Sequence, residues 1–379
     1  MSEGVDLSAV LAQPGPWTYA YIEGRGDAPQ VTERSRRRAV IDRLDECGAP
    51  PADVEAMREA LDEDGGLPSP SVRYLLARDG RIEADERFLG PRLGPELIGH
   101  GAVPCVLPLV RHRATDLCYV VVETGREGAQ VRVERAGRER IEASEDIQGR
   151  TDSLPKVQAG GWSHLRYQQH SEEIWSQTQG EVAEAVERLV REHAPRFVAI
   201  AGDVRARQLL RDHLGTATRA RVVDVDAHTR AAGSDDAALG SAVAEALDEA
   251  VRADLAAVVD RASAGGGASG ARGTAEVIAA LQQARVDTLL LDARLLDATQ
   301  TLDALDGPPW VADGDGDTVG AARLATVPLA EGLARAALLS GARVLVVEDD
   351  LPDGAPRRDS ETPPPLAALR WSDGDASAD

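Results

Sequence analysis

Residues 159–170 read AGGWSHLRYQQH and open an amphipathic run that continues to about His193. The Gly160–Gly161 pair can take up backbone angles that other residues resist, positive φ included. The residues before it, Gln148 to Gln158, are polar and without apolar periodicity, so the pair is expected on an exposed loop. From about Ser163 the pattern turns helical. Ile174, Val182, Val186, Leu189 and Val190 fall on one face, and Glu172, Glu173, Glu181, Glu184 and Glu187 lie largely off it. A helix from Ser163 to His193 would be about 45 Å long at 1.5 Å per residue. The expected object is a flexible tip on a long rod.

Outward from the rod, strand and helix patterns alternate. Leu117–Glu123 and Gln130–Arg135 form a hairpin across Gly125–Gly128. After the rod come a buried strand of the parallel type at Phe197–Ala201, a helix at Val204–Leu214, a strand at Arg221–Val225 and a helix at Leu239–Arg261. Such alternation implies helices packed on a sheet that is at least partly parallel. On the amino-terminal side, Trp17–Glu23 is a strand, Thr32–Cys47 and Ala52–Asp62 are helices, Val72–Arg78 and Arg81–Phe88 form a hairpin, and Val103–Val110 is expected as an apolar strand. On the carboxy-terminal side, Thr274–Ala284 and Leu329–Ser340 are helices, Val286–Leu291 and Arg343–Glu348 are strands, and Leu366–Trp371 is expected as an edge strand. Residues 264–270, AGGGASG, read as a link. No strand precedes it and no Gly-Lys-Ser/Thr follows it, which excludes a phosphate loop. The expected division is 1–112, 113–263 and 271–379, three α/β domains in all.

A chain of 379 residues with 43% hydrophobic content is long enough to bury several cores, and with only 3% aromatics those cores must be built from Val, Leu, Ile and Ala. The net charge of −22 excludes a protein that coats nucleic acid without selectivity, DNA included. No apolar run is long enough for a membrane span and no basic n-region leads an apolar block, so a cytoplasmic protein with no membrane partner is expected. Cys47, Cys105 and Cys118 are widely spaced and have no metal-ligand pattern; Cys105 and Cys118 sit in apolar runs and read as core thiols.

The Gly-Gly tip carries a family resemblance. In the archaeal and eukaryotic class-1 peptide release factors a Gly-Gly-Gln tip is followed by Ser and then by Arg-aromatic at the start of a long helix. Gly160, Gly161, Ser163, Arg166 and Tyr167 fill the matching places, while Trp162 stands where those factors carry glutamine. The chain most resembles the bacterial archaeo-eukaryotic release factor family, its family 2, over roughly residues 115–379. The resemblance implies a ribonuclease-H-like central domain that carries the tip to the ribosomal peptidyl-transferase centre, and an α/β/α carboxy-terminal domain. It implies the ribosome, through its RNA, and a translation elongation factor as partners. The setting it implies is hibernation or rescue of idle ribosomes at the A site, a stress response, with no cofactor.

Trp162 separates this chain from the family's chemistry. An indole has one donor and no acceptor, and its bulk would crowd a site shaped for a small amide that helps place water at an ester. A binding tip is expected instead, the alternative being that Trp162 and Tyr167 tuck back against the domain as an apolar plug. Trp162, His164 and Tyr167 offer flat surfaces for exposed bases, while Lys156 and Arg166 can pair with phosphates. No catalytic residue is assigned. The alternative is a peptidyl-tRNA hydrolase that acts without the usual glutamine, through Gln168 or Gln169. A metal site is not expected: His164, His170 and Glu173 lack a fourth ligand. The Asp313, Asp315, Asp317 alternation lacks the glycine and glutamate of a calcium loop. Glu348, Asp349 and Asp350 read as a solvated acidic turn.

Overall fold

A computed structural model describes residues 5–24, 29–63, 67–125, 127–138, 140–149, 161–226, 236–264, 268–314, 316, 318–348 and 364–371; for 161–172 it describes the backbone. By contacts the chain forms two compact units, residues 1–115 with 251–379 and residues 116–250. The first contains both the expected amino-terminal and the expected carboxy-terminal segments.

In residues 1–115 the elements are α1 (Leu7–Leu11), β1 (Trp17–Glu23), α2 (Gln30–Glu46), α3 (Pro51–Asp62), β2 (Ser71–Arg78), β3 (Arg81–Leu89), β4 (Leu97–Gly101) and α4 (Leu107–Thr115). The strands make an antiparallel sheet in the order β3-β2-β1-β4. The expected turn between β2 and β3 has Asp79 and Gly80 at φ of 52° and 72°, the left-handed pair that a two-residue hairpin turn needs. Both faces of the sheet are covered. Ala20, Ile22, Leu75 and Ala77 meet Val40, Leu44, Val54 and Met57 of α2 and α3, while Trp17, Tyr21, Tyr74 and Leu76 point into a larger core on the other side.

The expected strand at Val103–Val110 is a helix from Leu107 instead. Pro108 is compatible with a first helical turn but cannot donate to a ladder. The local sequence offers no capping side chain. The cap comes from Glu331, whose carboxylate accepts from the Val106 amide at 2.6 Å and the Leu107 amide at 3.3 Å.

Residues 116–250 contain β5 (Cys118–Gly125), β6 (Gly128–Arg135), β7 (Arg140–Gln148), α5 (Gly161–His193), β8 (Val198–Gly202), α6 (Val204–His213), α7 (Thr216–Arg219), β9 (Val222–Asp224) and most of α8 (Asp236–Ser263). The sheet order is β7-β6-β5-β8-β9. β5, β8 and β9 are parallel and only β6 runs against the rest, which is the ribonuclease-H-like arrangement. β7 was not expected, because RIEASEDIQ alternates only weakly and its outer side has no neighbour in the sheet. Val120, Val122, Val131, Val133, Val198 and Ile200 bury one face under α5 and α6. Tyr119, Val121, Ala199 and Ala201 bury the other, with Leu239 and Val243 of α8.

Residues 268–371 contain β10 (Gly270–Arg272), α9 (Thr274–Gln282), β11 (Val286–Asp292), a 3-10 turn (Ala293–Asp297), β12 (Thr301–Leu305), β13 (Val311–Ala312), β14 (Arg323–Pro328), α10 (Leu329–Leu339), β15 (Arg343–Val347) and β16 (Leu366–Leu369). Two sheets result, β10-β16-β11-β15 and β13-β12-β14. β16 is interior to the first, not at its edge: it pairs with β10 on one side and β11 on the other. Helices lie on both faces of that sheet, α9 and α10 on one and the end of α8 on the other, which is the expected α/β/α layering. α10 is buried on every side from Leu329 to Ala337. Its Ala and Gly residues permit close approach: a Cβ on Gly332 would sit 3.1 Å from that of Leu302. Of the acidic turn, Glu348 is not free in solvent but makes a two-pronged pair with Arg111. Asp349, Asp350, Asp315 and Asp317 lie outside the described residues.

Candidate functional site

The rod exists. α5 has 33 residues, about 50 Å of helix at 1.5 Å per residue. Nothing in Trp162–His193 breaks a helix except Gly180, and there the groove side is open, with only the His213 ring 3.9 Å from a notional Cβ. Val182, Ala183, Val186 and Leu189 pack on the sheet, each larger side chain stabilising by about 1.5–3 kcal/mol.

Polar contacts set the position of α5 along the sheet. Gln179 is fully buried at the end of β5; its carbonyl accepts from the Thr124 hydroxyl at 2.8 Å, and its amide donates to the Gly125 carbonyl at 3.1 Å. Fourteen ångströms or so further down the helix, at 1.5 Å per residue, Arg188 grips both oxygens of Glu145 on β7 at 2.6 and 2.7 Å. Between these, the Glu187 carboxylate accepts from the Gly215 amide at 2.9 Å, ahead of α7. Close under the Gln179 site, Gly202 ends β8 at φ +117°, where a Cβ would be 1.8 Å from the Thr124 carbonyl oxygen. The carboxy-terminal half of α5 is thus clamped at two levels. These positioning residues were not singled out from sequence. The one signal was the polar Thr178–Gln179 pair at the edge of an otherwise apolar stripe.

The expected tip divides in two. Lys156 and Gly160 lie outside the described residues. Gly161, Trp162, Ser163, His164, Arg166 and Tyr167 lie in the first two turns of α5, so the helix expected from about Ser163 begins two residues earlier, and Gly161, expected on a loop, is helical. The physical reason is local: from Trp162 to Tyr167 no residue is Gly, Pro or β-branched, and the chain can continue the helix upward. Positions 162 and 166 then fall one turn apart, as do 163 and 167, which lines the candidate contact residues along the helix axis. Gln168 and Gln169 are helical too. The first turn carries no acidic residue. Among the described residues no group of His, Cys, Asp or Glu could hold a metal ion.

A five-stranded ribonuclease-H-like sheet carrying a long helix from Gly161 is the class of domain that the fold defines. Residues 118–268 match the model of bacterial archaeo-eukaryotic release factor family 2, so the resemblance drawn from the tip holds for the whole of that domain. The chain is also 25% identical over 291 residues to the uncharacterized protein Rv2629 of Mycobacterium tuberculosis, covering 75% of this chain and 77% of that one. Among solved structures it is similar to Pelota of Archaeoglobus fulgidus (19% identity, 80% of each chain, TM-score 0.38). It is also similar to Dom34 of S. cerevisiae, a translation termination-like factor (11% identity, 82% of this chain and 84% of that one, TM-score 0.41).

Proposed function

We propose that this protein is a ribosome-associated translation factor that presents residues Lys156–Tyr167 to ribosomal RNA and does not hydrolyse peptidyl-tRNA. The observation that supports it is α5: a helix clamped to its sheet at Gln179 and Arg188 that begins at Gly161. Over its first two turns this end carries Trp162, His164 and Tyr167 for stacking and Arg166 for phosphates. Stacking contributes about 1–3 kcal/mol per base, so a few contacts suffice to hold the helix end in an RNA cleft. The site proposed is the ribosomal A site, the setting is hibernation or rescue in the cytoplasm, and a translation elongation factor is the proposed delivery partner. The division into three domains, with residues 271–379 as the last, is part of the same reading.

The test is cosedimentation. The protein is expected to pellet with vacant 70S ribosomes and to be released as salt rises, because phosphate contacts displace condensed counterions. Protein that stays in the supernatant at low salt with ribosomes in excess refutes the proposal. Hydrolysis is checked on the same complexes. Wild-type protein is expected to release no peptide from ribosome-bound peptidyl-tRNA above background, since water placement at an ester is lost with a single group and Trp162 has replaced that group. Robust release that Gln168→Ala or Gln169→Ala abolishes would establish the hydrolase instead.

A further inference from the structure

Within the unit made of residues 1–115 and 251–379 lies a cavity of about 460 Å³ that the tip does not involve. Its walls are apolar and come from far apart in the chain: Leu93, Leu97, Val103 and Pro104 on one side, Leu296 and Val327 on the other. Three polar groups break this lining in depth, the Tyr19 hydroxyl, the Cys105 thiol and the Glu331 carboxylate, and Arg111 and Asp297 stand with them.

The partners of these groups decide what the cavity can hold. Arg111 is committed, its Nε and Nη2 to Glu348 at 2.7 and 2.6 Å and its Nη1 to the Leu93 carbonyl. Arg335, one turn beyond Glu331, is committed to the Leu305 and Trp310 carbonyls at 3.0 and 3.4 Å and does not line the cavity. No lining cation is therefore left to meet an anion. Glu331 is 4% exposed. One of its oxygens takes the Val106 amide at 2.6 Å, while the other is met only by the Leu107 amide at 3.3 Å and the Cys105 thiol at 3.2 Å. That second oxygen keeps a lone pair for a better donor. Among the described residues the Tyr19 hydroxyl has no hydrogen-bond partner. Burial, and then the negative potential of Cys105, Glu331 and Cys47, push its pKa up to about 12. The phenol stays neutral and can accept as well as donate.

We propose that this cavity binds a small organic ammonium with an apolar body. The apolar walls and the Tyr19 ring take the body, and a cation beside that ring gains a further attraction. The ammonium protons go to the second Glu331 oxygen and the Tyr19 hydroxyl. An anion of the same shape finds a buried carboxylate and no free donor charge, which disfavours it strongly. The arrangement of few convergent polar groups in an apolar pocket of this size is the usual one for small ligands.

Phenethylammonium, 2-phenylethanol and 3-phenylpropionate are the probes, measured on the full chain by ligand-detected NMR titration. Phenethylammonium is expected to bind at least about tenfold more tightly than 3-phenylpropionate, whose carboxylate would lie unpaired beside Glu331. The neutral alcohol should fall between them. Tyr19→Phe, which removes only an oxygen, should weaken the ammonium about fivefold. Ala325→Trp, which fills the cavity from β14, should abolish binding while the circular dichroism spectrum is retained. The proposal is overturned if the anion binds as tightly as the ammonium. It is also overturned if Ala325→Trp binds like wild type, or if no probe binds at about 10 mM, a level at which a fragment-sized ligand should register.

Discussion

His112 shows how far burial can move one group. Its ring is stacked on Phe88 with centroids 4.9 Å apart, and its Nε2 accepts from the Tyr21 hydroxyl at 2.8 Å. Burial, with Arg111 alongside, lowers its pKa to about 4. The folded value lies below the unfolded one, so the neutral ring stabilises the fold above about pH 6.5, and that contribution is lost as pH falls toward 4. Between those limits the wild type is expected to lose on the order of 1–3 kcal/mol more than His112→Gln, which does not titrate. Urea unfolding at several pH values measures the difference; equal slopes for the two proteins would count against a neutral buried ring. Gly202 is a second residue-scale case. With φ +117° and a notional Cβ 1.8 Å from the Thr124 oxygen, Gly202→Ala should cost about 2–4 kcal/mol in chemical unfolding, beyond the usual surface substitution.

At the scale of the element, the clamped half of α5 and its amino-terminal end can be perturbed separately. Gln179→Ala leaves the Thr124 hydroxyl and the Gly125 carbonyl without their side-chain partner in a buried place and should destabilise by about 2–4 kcal/mol. Gly160→Ala with Gly161→Ala acts at the other end. Ribosome cosedimentation should weaken, while the melting temperature changes by no more than about 2 °C, since Gly161 lies in a helix and alanine is the better helix former. A large fall in melting temperature would show that the glycine pair is packed into the fold. α4 teaches the converse about elements. VPCVLPLV has the apolar density of a strand, yet the Glu331 carboxylate accepts from its Val106 and Leu107 amides across more than two hundred residues of sequence, and no local pattern could announce that.

For the whole molecule, the decisive feature is the core shared by the two ends of the chain. Leu7, Trp17, Tyr74 and Leu109 belong to the same buried cluster as Val277, Leu289, Leu333 and Ala337. A fragment of residues 1–115 would expose one face of its sheet, at about 25 cal/mol per Å² of apolar surface returned to water. It is expected to be unfolded or aggregated when expressed alone, by circular dichroism and size exclusion. A soluble, cooperatively melting fragment would show that the shared core is dispensable. Residues 116–250 close their own core on both faces of the β5–β9 sheet, and no such dependence is expected of that sheet.

Sequence alone determined the α/β class, the strand and helix alternation from Leu117 to Arg261 and the long helix. Each is written in local periodicity: α5 carries a 3.6-residue apolar stripe, β8 is a short fully apolar run, and β2 and β3 flank an Asp-Gly turn. The helix from Ser163 was legible in the apolar periodicity, but its beginning at Gly161 was not. A glycine pair permits a loop and equally permits a helix start, and it is Trp162 to Tyr167 that continue the helix down to Gly161. Only the tertiary structure decided the rest. β7 is a weak strand made secure by β6, and β16, expected at an edge, is interior because β10 and β11 pair with its two sides. Gln179 and Arg188 clamp α5 through partners on other strands, Glu331 caps a helix that the local sequence leaves uncapped, and the cavity beside Tyr19 is assembled from both ends of the chain. In each case the stabilising group is distant in sequence, so its effect exists only once the chain has folded.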